Sequence, residues 1–224
     1  MPLLSAFVQE AHIVISNKSF EDLYNGETLQ LLLEYPGIAR YVLKLEIRVP
    51  EPSFSFNCFS ASPQLTRLQS LTILTLNSTG LYHIIYWQCF PSPTQHSLLN
   101  LMHLPTLTHL DVRRITYYPK SNLIVCSNVE HLSLHRLDII GASSPLCCQS
   151  VKLQTLDISV PALKSLMRLE ETCSDGRLVL DFTGLVKLPI ALGGLETHVA
   201  PPIIKHIFRK IERLRDVSFQ VDGM

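Results

Sequence analysis

Histidine and aspartate residues at repeated positions are the first candidates for metal chemistry in this sequence. His131 and His135 are four residues apart, the spacing of two ligands on one face of a helix. The surrounding pattern is that of a strand, however, and four strand residues span roughly 13 Å, too far for one ion. His109 and His131 form a better pair, because equivalent positions on neighbouring parallel strands lie about 5 Å apart, and Asp111 could add a third ligand. Surface histidines need no ion, so we predict neither a metal nor a cofactor.

Serine and cysteine residues show none of the sequence patterns that mark an activated nucleophile. There is no G-x-S-x-G turn, no glycine-rich phosphate loop and no H-E-x-x-H pair of zinc ligands. Cys147 and Cys148 are adjacent, so a disulfide between them would be strained, and no basic residue beside them would favour a thiolate. We therefore predict that the protein is not an enzyme. The alternative is a hydrolase-like enzyme with its site on strand ends and loops, since a catalytic triad is defined by geometry rather than by sequence order.

A six-residue pattern with aliphatic residues at its first, fourth and sixth positions recurs along the chain. It is clearest in residues 107–112 (LTHLDV) and 129–134 (VEHLSL), and further copies begin near 42, 71, 153, 177 and 214. Positions four to six alternate between aliphatic and polar residues, which is typical of a strand with one buried face. The copies at 107, 129 and 153 are 22 and 24 residues apart. Leucine-rich repeats have a similar period of roughly 20–29 residues.

Between these repeats the sequence predicts helices and irregular segments. A strand is predicted within residues 7–15, helices at 20–33 and about 94–104, and a C-terminal capping helix at about 201–213. Strands that alternate with helices through short turns imply a parallel sheet with right-handed crossovers. One repeat alone cannot bury its leucine face, so neighbouring repeats must stack. We predict an α/β fold, an irregular leucine-rich-repeat-like solenoid with a parallel sheet and helices on the outer side, with residues 1–224 in a single domain.

Composition and charge limit the classes of partner. The 224 residues hold 19 Lys and Arg against 19 Asp and Glu, which argues against nucleic acid or an anionic membrane surface. No apolar run approaches the roughly 20 residues of a membrane span. Gln9 and Glu10 interrupt the apolar N-terminal residues, so we expect no signal peptide. Six cysteines without a C-x-x-C pair then favour free thiols, and we predict a cytoplasmic or nuclear monomer that binds neither nucleic acid nor membrane.

Near the N-terminus, a helix-like segment with paired leucines precedes a proline-containing phrase and a strand. The residues are Phe20-Glu-Asp-Leu23, Leu31-Leu-Leu33, Pro36-Gly-Ile-Ala-Arg-Tyr-Val42 and Leu45-Glu-Ile47. This arrangement, with the irregular repeats that follow, resembles the repeat region of fungal F-box proteins. The resemblance implies the substrate-recognition region of a ubiquitin-ligase adaptor, which binds proteins that are to be ubiquitylated.

Two features of the sequence depart from that family. The F-box, which would dock a cullin-type ubiquitin ligase, has no candidate segment, so the resemblance implies ligase function only for a longer or ancestral form. Regular repeats carry asparagine at their ninth position. Here those positions hold Pro50, Thr79, Ile115, Leu137 and Pro161. The resemblance therefore implies a degenerate solenoid.

The polar positions of the repeats are the predicted binding surface for a protein partner. Positions three, five and seven point away from the aliphatic core, and strand stability demands no particular residue there. For the copy at 71, this register buries Leu74 and exposes Ile73 and Thr75. We predict that the partner contacts the densest polar cluster, which comprises His109, Asp111, Arg113, His131, Ser133, His135 and Asp157. Trp87 is a further candidate anchor, with packing over the edge of the sheet as the alternative.

Overall fold

The structure is a computed structural model that describes residues 10–14, 36–49, 65–75, 85–124, 126, 128–140, 151–160, 162–163, 180–192 and 214–221. The chain divides into two compact units, Met1–Ile115 and Thr116–Met224, here called the N-terminal and C-terminal units. The helices predicted at 20–33 and 201–213 lie outside the described residues. A single domain over residues 1–224 stays a prediction.

Four parallel strands form the sheet of the N-terminal unit. They are β1 (Glu10–Val14), β2 (Lys44–Val49), β3 (Ser70–Thr75) and β5 (His109–Arg113), and each pairs with the next in that order. The elements between them are α1 (Pro36–Ala39), β4 (Ile85–Tyr86), a 3-10 helix (Trp87–Cys89) and α2 (Ser92–Met102). Strand β6 (Ile115–Thr116) follows where the two units divide. Because the paired strands run parallel, the chain must return to the same end of the strands before each new strand begins.

The C-terminal unit repeats this arrangement. Its sheet strands are β8 (His131–His135), β11 (Thr155–Ser159), β13 (Lys187–Leu192) and β14 (Asp216–Val221), paired in parallel in that order. Two smaller parallel pairs join β7 (Tyr118–Pro119) to β9 (Ile139–Ile140) and β10 (Val151–Lys152) to β12 (Leu180–Asp181). A short helix, α3 (Lys120–Ile124), follows β7. The prediction of a parallel sheet is confirmed. Helices are few among the described residues, which is compatible with the predicted α/β class.

Aligned aliphatic side chains form the core beneath each sheet. In the N-terminal unit Leu45, Leu71 and Leu110 are register partners, and none is more than 3% exposed. Those three leucines occupy position four of their repeats; at position six of the C-terminal repeats Leu134, Ile158 and Ile190 are also fully buried. In β2, β3, β5, β8, β11 and β13 the residue between two buried ones is half-buried, so these strands are buried on one face. Full burial of one such side chain contributes about 1.5–3 kcal/mol, so these aligned residues contribute strongly to stability.

A recurrent pair of hydrogen bonds determines where each repeat enters the sheet. The carbonyl at position two of a repeat accepts the N–H groups of positions two and three of the next repeat. In the N-terminal unit the Gln69 carbonyl accepts from Thr108 (3.0 Å) and His109 (2.9 Å). In the C-terminal unit the Glu130 carbonyl accepts from Gln154 (2.8 Å) and Thr155 (3.1 Å). The same arrangement occurs at the carbonyls of Leu43, Gln154 and Val186.

These contacts correct the predicted start of the repeat at 71. Leu68, Leu71 and Ile73 are fully buried, whereas Leu74 is half-buried on the polar face, so this repeat begins at 68. Thr75, predicted to be exposed, is also buried. The segment LQSLTILTL contains the aliphatic pattern in two registers three residues apart. The register pairs of Leu71 in the flanking strands select the first one.

The repeat predicted at 177 is likewise replaced by one at 185. Leu180–Asp181 forms β12, which pairs with the short strand β10. The strand that enters the sheet is β13, where Leu185, Leu188 and Ile190 are fully buried. Pro189 lies inside this strand, and because proline has no N–H to donate, a proline argues against a central strand in any sequence-based prediction.

Helix α2 confirms the helix predicted at about 94–104. It spans Ser92–Met102 and has a proline in its first turn, where the missing N–H costs nothing. Leu98, Leu101 and Met102 are buried, which is the spacing of one helical face.

Replacing Ile73 by alanine should destabilise the protein far more than replacing its neighbour Leu74. Ile73 is 0% exposed, so Ile73→Ala leaves a cavity and should lower the free energy of unfolding by about 2–5 kcal/mol. Leu74 lies on the half-exposed face, and Leu74→Ala should cost less than about 1 kcal/mol. Urea unfolding curves measure both changes. A larger loss for Leu74→Ala would support the register that begins at 71.

Candidate functional site

The exposed face of β5 carries three residues of the predicted binding cluster. His109 and Arg113 are exposed and Asp111 is half-buried, and they alternate with the buried Leu110 and Val112. Arg113 Nε donates to both carboxylate oxygens of Asp111 at 2.9 Å. Ion pairs between exposed side chains contribute only about 0–1 kcal/mol. The pair therefore sets the shape and charge of the surface more than it stabilises the fold.

A second pair of the same kind lies on β2. Arg48 Nε donates to the Glu46 carboxylate. The sheet register places Glu46, Thr72 and Asp111 in one row. The next row, two residues further along the strands, is Arg48, Leu74 and Arg113.

The two guanidinium groups form the outer layer of this surface. The side chains of Arg48 and Arg113 are 39% and 48% exposed, whereas those of Glu46 and Asp111 are 20% and 19% exposed. Leu74 lies between the two arginines in the register. The face therefore combines planar hydrogen-bond donors with an aliphatic residue, which suits a partner that offers carbonyl or carboxylate oxygens beside an apolar side chain.

The C-terminal unit holds the other four residues of the cluster. His131, Ser133 and His135 alternate along β8 with the buried Leu132 and Leu134. Asp157 on β11 is the register partner of Ser133. His135 Nε2 lies 3.1 Å from Asp157 Oδ1, an ion-pair distance without hydrogen-bond geometry. The structure thus brings three of the predicted residues together across two strands.

These neighbours include the three residue types of a serine hydrolase, but their arrangement differs from a triad. A serine nucleophile needs a base within hydrogen-bond reach, about 2.6–3.2 Å. Ser133 Oγ is buried and has no hydrogen-bond partner in the structure. His135 presents Nε2 to Asp157 and supplies no base to Ser133. In this arrangement Ser133 has no general base at hydrogen-bond distance.

The proposed metal ligands fall in different units. His109 and Asp111 belong to the N-terminal unit, and His131 belongs to the C-terminal unit. Within the described ranges, no group of three His, Cys, Asp or Glu side chains is placed to hold a metal ion. The Asp111 carboxylate is instead bonded to Arg113.

Trp87 is buried and does not offer its ring to a partner. It is 4% exposed, and its ring meets Phe90 edge to face with centroids 5.6 Å apart. Gln95 Nε2 donates to the carbonyls of Trp87 and Phe90, at 3.3 and 2.8 Å. This burial favours the alternative prediction, in which the Trp87 ring packs within the fold. Among the described residues around it, Tyr86 has an exposed aromatic ring.

Two buried hydroxyl groups hold the turns at the ends of the site strands. Arg114 follows β5 and Arg136 follows β8, with φ angles of 63° and 52°, a region that non-glycine residues rarely adopt. Thr75 Oγ1 donates to the Arg114 carbonyl at 2.9 Å. The Arg136 N–H donates to Ser159 Oγ at 2.8 Å. Sequence reasoning placed Thr75 and Ser159 on the exposed face, and their burial identifies them as supports of the turns instead.

A buried polar cluster in the C-terminal unit contains one of the two described cysteines. Tyr118 is fully buried, and burial raises its pKa well above 10.0, with smaller contributions from Cys126, which raises it, and from an Asn122 hydrogen bond, which lowers it. Burial also raises the pKa of the Cys126 thiol to about 12, and its Sγ donates to the Asn122 carbonyl at 3.3 Å. Cys89, by contrast, is exposed. The adjacent pair Cys147 and Cys148 lies outside the described residues.

The chain matches no family model, no curated protein and no solved structure. Among the described residues no helix is both long and apolar enough to cross a membrane. The resemblance to fungal F-box proteins therefore stays a prediction from the sequence.

A thiol reagent should modify Cys89 on the native protein and leave Cys126 largely unmodified. Cys89 is open to solvent, whereas Cys126 is buried and protonated, and the thiolate is the reactive form. Mass spectrometry after a short iodoacetamide pulse, with and without urea, would measure both. Rapid native labelling of Cys126 would contradict the structure and favour a reactive thiol.

Alkaline pH should destabilise the fold through Cys126 and Tyr118. Both pKa values are raised in the folded state, so the folded protein resists deprotonation. The stability that they contribute is fully present below the ordinary thiol pKa of 9.0 and is lost as the pH rises toward about 12. Melting temperatures from about pH 8 to pH 11 should fall, and they should fall less in Cys126→Ala. An equal fall in the variant would exclude the thiol as a cause.

Proposed function

We propose that this chain is a non-catalytic protein-interaction scaffold, built as an irregular leucine-rich-repeat solenoid. The observation that supports it most is the polar face of each sheet, where successive parallel strands present side chains of both charges. The fold requires only the aliphatic residues on the opposite face. Residues such as Asp111, Arg113 and His135 can therefore serve recognition, as on the sheet surfaces that repeat proteins offer to their partners.

The recurrent entry of each repeat into its sheet supports the repeat assignment. Five position-two carbonyls accept two N–H groups each, at Leu43, Gln69, Glu130, Gln154 and Val186. The asparagines of regular repeats are missing. The hydroxyl groups of Thr75 and Ser159 instead form hydrogen bonds with the backbone of the turns. A repeat held in this way tolerates connections of different length, because the contacts are made by the backbone and by the ends of the strands.

The N-terminal face suggests the chemistry of the partner. Arg48 and Arg113 hold their guanidinium groups outward over Glu46 and Asp111. Because each arginine is already paired with a carboxylate, a fully anionic partner gains little net attraction. A protein segment with backbone or side-chain oxygens beside an aliphatic residue, which could contact Leu74, fits better.

In this proposal the partner is a protein that is to be ubiquitylated. The support is the resemblance to the repeat region of fungal F-box proteins. Of its matched phrases, α1 and β2 contain Pro36–Ala39 and Leu45-Glu-Ile47. The chain would supply the substrate-recognition surface of a ubiquitin-ligase adaptor in the cytoplasm or nucleus, as a monomer and without a cofactor.

A hydrolase is the second candidate, because Ser133, His135 and Asp157 lie together on β8 and β11. It would require a rotation of the His135 side chain that brings one ring nitrogen within reach of Ser133. Hydrolysis of a p-nitrophenyl ester by the parent and not by Ser133→Ala would favour this candidate over the scaffold.

Replacing Asp111, Arg113 and His131 together by alanine should weaken partner binding while the fold persists. Each is half-buried or exposed, so each substitution should change the free energy of unfolding by about 0.5 kcal/mol or less. Proteins that the parent chain captures from cell extract, identified by mass spectrometry, should be depleted with the triple variant. In cells, these same proteins should live longer when the chain is absent.

The matched control removes one basic and one acidic residue away from the sheet strands. Arg67 and Asp138 are both exposed and lie in connections, so Arg67→Ala with Asp138→Ala should capture the same proteins as the parent. Unchanged capture by the triple variant would place the interaction elsewhere. If the lifetimes of the captured proteins are unchanged, the chain is a scaffold without a role in ubiquitylation.

A further inference from the structure

The last sheet strand of the C-terminal unit ends the buried column abruptly. Phe219 on β14 is the register partner of Ile190 on β13. Leu134, Ile158 and Ile190, at position six of the three preceding repeats, are each 0% exposed, whereas Phe219 is 51% exposed. Its aromatic ring thus continues the core column and stands open at the edge of the sheet. Among the described strands, β14 pairs with β13 alone.

Among the described residues, no strand pairs with the outer side of β14. In the preceding repeats, the position-two carbonyls of Glu130, Gln154 and Val186 each accept two N–H groups from the next repeat. Position two of the last repeat is Arg215, whose N–H donates with that of Asp216 to the Val186 carbonyl. None of the described N–H groups donates to the Arg215 carbonyl. An edge strand with unpaired backbone groups and an exposed apolar side chain is a template for strand addition.

We propose that β14 binds an extended segment of a partner protein, added in parallel as the next strand of the sheet. The segment would place two N–H groups on the Arg215 carbonyl and an aliphatic side chain beside Phe219. If the segment is numbered like a repeat of this chain, its third residue would lie next to Asp216, which is exposed. A lysine or arginine is therefore favoured at that position. The edge of β14 is separate from the polar face of the sheet. Binding of a segment at this edge does not depend on whether the polar face binds a partner.

A second copy of the chain fits the edge less well than a partner segment. Two copies related by a two-fold axis would pair β14 antiparallel with itself, whereas the described main strands of this unit pair in parallel. Head-to-tail addition of β1 would set Glu10 beside Asp216, because Glu10 is the register partner of the position-three residue Lys44. Like charges directly opposite one another destabilise a strand pair.

A synthetic peptide with the sequence VLKLEIR, copied from residues 42–48, is a suitable probe. It has aliphatic residues at positions four and six and a lysine at position three. The matched control, VLELKIR, exchanges the lysine and glutamate and keeps the composition. Fluorescence anisotropy with labelled peptides should show binding of VLKLEIR to the full chain and at least about tenfold weaker binding of VLELKIR, a difference that one opposed charge pair can produce.

Variants of the chain locate the binding. Phe219→Ser should weaken VLKLEIR binding about tenfold or more, since an aromatic anchor dominates such contacts, whereas Phe219→Leu should retain most of it. Asp216→Asn should remove the preference between the two peptides. Both side chains are exposed, so thermal unfolding should show that all three variants remain folded.

Several outcomes would overturn the proposal. These are no binding of VLKLEIR, binding that Phe219→Ser does not weaken, and a peptide preference that persists in Asp216→Asn. Sedimentation of the parent as a dimer that Phe219→Ser dissociates would identify a second copy as the occupant, contrary to the proposal.

Discussion

The hydrogen bonds that the position-two carbonyl accepts in five of the repeats are the contacts on which the rest of the structure depends. Each of these carbonyls accepts two N–H groups from the following repeat, and so determines the residue at which the next strand joins the sheet. In the N-terminal unit the Leu43 carbonyl receives Gln69 and Ser70, and the Gln69 carbonyl receives Thr108 and His109. Side chains along a strand alternate between the two faces of the sheet. The residue at which a strand joins the sheet therefore decides which side chains face the core.

The same alignment explains how connections of unequal length are accommodated. From Leu45 to Leu71 the chain uses 26 residues, and from Leu71 to Leu110 it uses 39, yet the three leucines are register partners. The longer connection contains α2, whose own apolar face is buried. Only the residue at which each strand joins the sheet and the turn after the strand are constrained. The connection from that turn to the next strand can therefore vary in length without displacing the aligned core leucines.

Alternation then separates the side chains that form the core from those on the outer face of the sheet. The buried face of β5 contains Leu110 and Val112, and its exposed face contains His109, Asp111 and Arg113. A substitution on the exposed face leaves the core untouched, so such positions can change identity at low cost in stability. The turns after β5 and β8 are the exception, because Arg114 and Arg136 adopt positive φ angles and rely on the hydroxyl groups of Thr75 and Ser159.

The sequence by itself determined the parallel sheet, the strands of the repeats that begin at 107, 129 and 153, and helix α2. In each of these the apolar period is unambiguous, because a single register places every aliphatic residue on one face. The position of His109, Asp111 and Arg113 on the outer face of the sheet follows from the same period. These features need only local information.

The tertiary structure alone decided the points where local information is ambiguous or long-range. The aliphatic pattern around Leu71 fits two registers, and pairing with β2 and β5 selects the one that buries Ile73. The strand at Lys187–Leu192 contains Pro189, although proline is disfavoured within strands. The pairing of this strand with β11 and β14 outweighs the low strand propensity of proline. The burial of Trp87 and the approach of His135 to Asp157 depend on residues that meet only when the chain has folded. No periodicity along the chain encodes these contacts, because each is made between elements whose alignment the sheet itself sets.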